Sequence, residues 1–213
     1  MIGLGLITLN EEEYVERCIK SAEGLYDELI VLDHFSSDRT AEICADLGAQ
    51  VVQAKWIHDF SLARNQLNNL FTSPWIFQMD ADEHLEGEKL NLLSHAVEIS
   101  ENQGIVAWSL LRKNHYPDHD AGSPFFAAPF YPDPQVRLFK NQPEIYWSGA
   151  VHEGVSQAIT EGNIGTIGRL SVCLHHHMFR GNQEKYEDLK GQYYSNIQQG
   201  VFHEDGHPTN KVN

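Results

Sequence analysis

Asp80-Ala81-Asp82-Glu83 follows directly on the apolar run Trp75-Ile76-Phe77-Gln78-Met79, so three carboxylates stand at the end of a stretch that reads as a buried strand. Two aspartates one residue apart can share a hard divalent cation, or one can hold the metal while the other accepts from a sugar hydroxyl. Ligands of open α/β sheets bind beyond the carboxyl ends of the strands, where such a cluster would meet them. The alternative is an acidic turn that caps the next helix. Further on, His175-His176-His177 closes another strand-like run. Consecutive strand side chains point to opposite faces, so His176 opposes its two neighbours and only one face can reach a metal. That divergence, and the lack of a cysteine cluster, disfavour a zinc site built on all three. Glu153, in Val151-His152-Glu153, is a candidate general base because it follows a strand-like segment downstream of the acidic pair; Glu83 and Asp120 are its rivals.

These residues need a scaffold, and the periodicity predicts one. Residues 2–8 read as a short apolar strand, and Asn10 with Glu13 looks like a capping box for a helix that places Val15, Ile19 and Ala22 on one face. Residues 28–33 form a second strand ending on Asp33, and Ser36-Ser37-Asp38 supplies caps for a helix that Gly48 closes. A third strand over 50–54, a helix over 59–71 and the strand at 75–79 complete the alternation. The expected class is α/β, a mostly parallel sheet with helices on both faces and right-handed crossovers. Beyond Glu83 the pattern changes. It predicts a helix over 90–99, a strand over 104–112, and a loop over 115–134 whose aromatic centre either covers a substrate or packs on itself. Strands over 135–140 and 170–176 and a closing helix over 183–198 follow. The expected organisation is one domain over 1–200, split into a nucleotide-binding half (1–83) and an acceptor and metal half (84–200), with a fraying tail over 201–213.

Composition narrows the function classes. Thirty acidic residues against 15 Lys and Arg give a formal net charge of −15, which argues against nucleic acid as a partner and means that an anionic small substrate needs a metal or local cations. No apolar run is long enough to span a bilayer, although contact with a membrane surface is compatible with the chain. The first residues lack the basic flank of a signal peptide, so a cytoplasmic location is expected. Cys18, Cys44 and Cys173 form no close pair, and no disulfide framework is implied.

Several pieces then coincide in order. They are Thr8-Leu9-Asn10-Glu11-Glu12, Asp33 with Ser36, Asp38 and Thr40, Trp56 with Asp59-Phe60-Ser61, and Ala63-Arg64-Asn65. Asp80-Ala81-Asp82-Glu83, Arg137-Leu138-Phe139, Val151-His152-Glu153, and His176 before Met178-Phe179-Arg180 continue the series. On these the chain, over roughly residues 2 to 190, resembles the family-2 glycosyltransferases, and more closely the bacterial branch of lipopolysaccharide-core β-glucosyltransferase-like proteins and peptide S-glycosyltransferases. The resemblance implies a Rossmann-like nucleotide-diphospho-sugar transferase fold (GT-A type). It also implies an inverting transfer of a sugar from a nucleotide-diphosphate donor, UDP-sugars being commonest, to a glycan, lipid-linked or peptide acceptor.

By the same resemblance Thr8, Asn10 and Glu11 line the ribose and base, Asp33 accepts from the base imide, Arg64 lies over the nucleotide side and Asp80 sits nearer the ribose. Asp82 and His176 would hold Mn²⁺ or Mg²⁺, the imidazole favouring Mn²⁺, and Glu153 would deprotonate the acceptor. Plain structural duties stay open beside these roles: a helix cap for Asn10, a loop cap for Asp33, and an ion pair with Asp59 or Asp80 for Arg64. The loop after Asp33 departs from the family pattern, with His34 and Phe35 where a small residue and a glycine are usual and Arg39 in place of a common glycine. Of the competing classes, a nucleotidyltransferase would want a basic, glycine-rich first turn, whereas Asn10-Glu11-Glu12-Glu13 is acidic. A phosphatase with a nucleophilic aspartate would want threonine at position 84, where His84 stands. A catalytically silent binding module is the alternative from another class.

Overall fold

The computed structural model describes residues 1–86, 89–115, 133–177, 195 and 197. In chain order the elements are β1 (Ile2–Thr8), α1 (Val15–Ser21), β2 (Glu28–Asp33), α2 (Thr40–Asp46), β3 (Gln50–Gln53), α3 (Phe60–Asn68), β4 (Trp75–Asp80), β5 (Glu83–Leu85), α4 (Leu90–Gln103), β6 (Ile105–His115), β7 (Asp133–Lys140), α5 (Ser156–Glu161) and β8 (Thr166–His177). The strands make an 8-stranded sheet in the order β3-β2-β1-β4-β7-β6-β8-β5.

The first four strands pair in parallel, as the alternation of strands and helices predicts. The far half is mixed. β7 runs antiparallel to both β4 and β6, β8 lies parallel to β6, and β5 is antiparallel to β8. A two-residue turn, Ala81-Asp82, separates β4 from β5, too short for the crossover that a parallel neighbour requires, so β5 leaves β4 and finds its partner at the far edge.

Period-two alternation sorts the core onto two faces. Leu4, Leu6, Val31, Phe77 and Met79 face α1, α2 and α4, through Val15, Ile19, Cys44 and Leu93. Ile30, Leu32, Ile76 and Phe139 face Leu67 of α3 and Phe71 just beyond it, with Trp147 and, from α5, Ile159. On that second face β1 presents Gly3 and Gly5, and a Cβ on Gly3 would lie 2.4 Å from Cδ1 of Phe71. The missing side chain lets α3 press close to the central strand, which matters because α3 carries Arg64.

Three local expectations change. The predicted capping box does not form: α1 begins after Tyr14, which makes no side-chain cap, and Asn10 turns the chain at φ 57°. Its duties lie in the next loop, where Ser36 Oγ accepts from the Asn10 N–H (2.9 Å) and Asn10 Oδ1 accepts from the Ser37 N–H (2.8 Å). Adjacent parallel strands end side by side, so each loop becomes the nearest source of partners for the other. Second, β6 runs on to His115 and β7 begins at Asp133, so both ends of the predicted 115–134 loop are strand. Its aromatic centre, Asp120, the predicted helix over 183–198 apart from residues 195 and 197, and the tail lie outside the described residues. Third, α4 extends to Gln103 and ends on Gly104 at φ 65°. The helix expected over 59–71 is shorter, Phe60–Asn68, and Asp59 caps it, its Oδ1 accepting from the Leu62 N–H at 2.9 Å. Among the described residues no helix is long and apolar enough to cross a membrane, and all three cysteines are buried and free.

Substituting Gly3→Ala should force Phe71 off its rotamer and cost about 1–3 kcal/mol. Urea unfolding reads this directly, and an unchanged midpoint would mean that α3 does not need the close approach.

Candidate active site

The sheet delivers its polar residues to the carboxyl ends of β1, β2 and β4. At the first two, Thr8 and Asp33 are register partners, and both are buried. Asp33 Oδ1 accepts from Thr8 Oγ1 at 3.0 Å and from Ser36 Oγ at 2.5 Å, while Oδ2 accepts from the Ser36 N–H at 3.0 Å and Gln53 Nε2 at 3.4 Å. Its side chain therefore ties β1 to the loop after β2, and to meet a nucleotide base it must exchange one of these partners. These contacts fill the loop-cap duty that stays open for Asp33 beside a base contact. Alongside, Thr40 Oγ1 accepts from the Glu11 N–H at 2.6 Å and Asp38 Oδ2 from the Glu12 N–H at 3.2 Å. Asn10 and Glu11 sit on this laced rim, Asn10 exposed and Glu11 half-buried.

The end of β4 is a chain of ion pairs. Arg64, 3% exposed, projects from α3 and donates through Nη2 to Asp80 Oδ1 (2.5 Å), through Nε to Glu153 Oε1 (2.7 Å) and through Nη1 to Gln78 Oε1 (3.2 Å). Its guanidinium carbon lies 4.7 Å from the centre of the Trp147 ring. Arg137 of β7, equally buried, donates through Nη2 to Asp80 Oδ2 (2.6 Å) and to Glu83 Oε1 (2.9 Å), and Glu83 Oε2 accepts from the Asp80 N–H (3.0 Å). Burial opposes ionisation of Asp80, but the charges of Arg137 and Arg64 outweigh it and hold the carboxyl well below the usual range. Burial dominates at Glu83 and raises its carboxyl despite Arg137.

Glu83 thus serves as an internal clamp, with no exposed side-chain surface, and is removed as a rival base. Asp80 is first the counter-ion of two arginines; a ribose contact is left to the lone pairs they do not use. Arg64 is the ion-pair partner of Asp80, one of its two anticipated structural partners, and reaches Glu153 as well.

Glu153 is presented by a small closed loop. Ser148 and Gly154 exchange backbone hydrogen bonds at 3.1 and 3.2 Å, with Gly149 at φ 98° and His152 at φ 55° between them. The loop is fixed to α3 by Asn65, whose Oδ1 accepts from the Trp147 N–H at 2.8 Å and whose Nδ2 donates to the Trp147 carbonyl at 2.9 Å. Glu153 Oε1 is held by Arg64, its side chain keeps 13% of its surface exposed, and Oε2 has no hydrogen bond to any described residue.

The turn after β4 places Asp82 against the end of β8. The His177 N–H donates to the Asp82 carbonyl at 3.0 Å, and Glu83 pairs with His176 in the sheet. His176 Nε2 lies 3.4 Å from Asp82 Oδ2, while Nδ1 lies 2.8 Å from Asn114 Oδ1. An amide oxygen can only accept, so Nδ1 is the nitrogen that donates to Asn114, which leaves Nε2, on the Asp82 side, as the ring atom placed to bind a metal. Ligand atoms at adjacent corners of an octahedral ion lie about 3 Å apart, so the donor set and its spacing fit Mn²⁺ or Mg²⁺, with Asn114 fixing the tautomer from behind.

The structure brings Asp80, Asp82, Arg64, Glu153 and His176 together, and Thr8 with Asp33 on neighbouring strands. Sequence reasoning assigned no role to Arg137, Gln78, Asn65 or Asn114. For Arg137 and Asn65 the signal was present, each lying in a quoted motif; Gln78 in an otherwise apolar strand was a second. Asn114 left none. Replacing Arg137 by Met leaves two buried carboxylates facing each other, and should cost about 3–5 kcal/mol. Equilibrium unfolding would show it; a loss below 1 kcal/mol would show that solvent reaches the network.

The family model of glycosyl transferase family 2 matches residues 4–151. A TPR repeat-containing protein of Synechococcus elongatus is 34% identical over 158 residues, covering 74% of this chain and 36% of that protein. The SPbeta prophage-derived glycosyltransferase SunS of Bacillus subtilis is 31% identical over 157 residues, covering 71% of this chain and 34% of its own. The chain thus spans about a third of the length of these relatives. Among solved structures, S. aureus TarS 1-349 in complex with UDP-GlcNAc superposes with a TM-score of 0.61 at 14% identity, covering 86% of this chain and 60% of that one. Glucosyl-3-phosphoglycerate synthase from Mycobacterium tuberculosis in complex with Mn²⁺ and UDP-glucose gives 0.62 at 17% identity, covering 96% and 80%. These two share the fold, a GT-A-like arrangement with a mixed sheet and flanking helices, and the family match over residues 4–151 makes this chain a member of glycosyl transferase family 2.

Proposed function

We propose that this chain transfers a sugar from a UDP-sugar to a glycan, lipid-linked or peptide acceptor, with inversion and with the help of Mn²⁺ or Mg²⁺. The observation that carries the reading is the convergence of a metal-type pair, Asp82 and His176, and a half-shielded carboxylate, Glu153, on the end of one strand through Asp80 and Arg64. A single displacement needs a base on the acceptor side and positive charge on the leaving-group side. Glu153 supplies the first through Oε2, while Arg64 keeps Oε1 in place. Asp82 and His176 would hold the divalent ion, whose charge would stabilise the departing diphosphate. Thr8, Asn10, Glu11 and Asp33 line the nucleotide side, with Asp33 giving up a loop contact when the base enters. UDP with Mn²⁺ or Mg²⁺ in structures of similar fold supports the donor and the ion. The match to the glycosyltransferase SunS supports sugar transfer as the reaction.

A silent binding module is the competing reading. Incubating a panel of nucleotide-sugars with and without Mn²⁺ separates the two, because a module would release no nucleoside diphosphate. UDP with Mn²⁺ at a hundredfold its dissociation constant should stabilise the protein by about 2.7 kcal/mol. In Asp82→Ala the metal-dependent part of that thermal shift should vanish; if it persists, Asp82 is not a ligand. Glu153→Gln should keep the shift while turnover drops by about 10²-fold or more, and retained turnover removes it as the base.

A further inference from the structure

Glu86, Cys173 and His175 are a second cluster with metal-binding chemistry, on the face of β8 opposite His176. Cys173 and His175 stand two residues apart on β8, so their side chains share a face. The antiparallel register pairs Leu85 with Leu174 and His84 with His175, and one further step brings Glu86 alongside Cys173. A sulfur, an imidazole nitrogen and a carboxylate oxygen from these residues all lie within 4.8 Å of one another. Within that group His175 Nε2 and Glu86 Oε1 are 3.0 Å apart. Edges of a tetrahedral zinc site with bonds of about 2.0–2.3 Å measure about 3.3–3.5 Å, so small rotations suffice to close the triad on one ion.

The surroundings are those of a ligand set. His115 Nε2 lies 2.7 Å from His175 Nδ1, so with His175 Nε2 on a metal its Nδ1–H donates to His115, the outer contact that orients a ligating imidazole. Lys89 Nζ holds Glu86 Oε2 at 2.8 Å, which leaves Oε1 directed at His175. Lys113 Nζ, 3.9 Å from Oε1, also faces the Cys173 thiol and is the cation that an ion would displace. The His84 ring stacks on His175 with centroids 4.8 Å apart and covers one side of the cluster. Cys173 itself is 5% exposed.

We infer that Glu86, Cys173 and His175 bind a zinc-class divalent ion, with a fourth position for water, at the junction of β5 and β8. Thiolate, imidazole and carboxylate together select Zn²⁺ over the Mg²⁺ and Mn²⁺ suited to Asp82 and His176. On binding, the Cys173 thiol loses its proton to solvent and the sulfur takes the metal in its place. The ion would pin β5 to β8 and so fix the register that sets His176 beside Asp82. This inference does not depend on sugar transfer.

Titrating the metal-free protein with Co²⁺, a spectroscopic stand-in for zinc, tests it. One equivalent should produce a sulfur-to-cobalt charge-transfer band in the near ultraviolet, unchanged in Asp82→Ala and absent in Cys173→Ser. Glu86→Gln, at a more open position, should fold normally and weaken Co²⁺ binding about tenfold or more, which keeps the test decisive should Cys173→Ser fold poorly. Absence of the band in the wild-type protein, or an unaltered affinity in Glu86→Gln, overturns the site.

Discussion

Two buried guanidinium groups hold this site together. Arg64 and Arg137 grip the carboxylate of Asp80 from either side and pass on to Glu153 and Glu83, so five charged side chains from α3, β4, β5, β7 and the 148–154 loop form one continuous chain. Removing such groups from water costs several kcal/mol each, and that cost is offset only while every partner is present. The network is therefore a positional device. It fixes where β4 ends, how β5 departs from it, and how far the loop bearing Glu153 stands from the metal-type pair.

Its composition also suits what lies next to it. Two guanidinium groups face three carboxylates, and Asp82 adds another acid at the mouth. Within a chain of net charge −15 this leaves an acidic strand end, a setting that attracts a divalent cation before an anionic diphosphate. The Asp82 and His176 pair occupies that mouth, while Asn114, next to His115 at the end of β6, aims the imidazole lone pair. Asn65 and Trp147 connect α3 to the Glu153 loop, so packing against β1 at Gly3 is linked to the position of Glu153.

Much of this was legible in the sequence because apolar runs and their punctuation are strong local signals. β1 and β2 fall on the residues the hydrophobic pattern marks, and alternation along β8 puts His176 on the face opposite its neighbours. What local pattern could not supply was pairing at a distance. The antiparallel strands β5 and β7 depend on which edge remained open, and three residues give no periodicity. The loop-cap duty of Asp33 is visible only once Thr8, Ser36 and Gln53 stand beside it, since its contacts come from other strands or from a loop whose path the local pattern does not fix. The capping box at Asn10 failed for the same reason, since the adjacent loop offered better partners than the helix. Glu86 comes beside Cys173 only through the antiparallel register of β5 and β8, which no local pattern gives.

The claim on which the account rests is that an imidazole and a carboxylate at the tip of β4 hold the divalent ion that accompanies a nucleoside diphosphate. Pulsed electron paramagnetic resonance of Mn²⁺ bound together with UDP tests this most directly, because a coordinated imidazole imprints a nitrogen modulation on the manganese signal. That modulation is expected in the native protein and is lost in His176→Ala. Bound Mn²⁺ with no nitrogen coupling, or coupling that survives in His176→Ala, would contradict it.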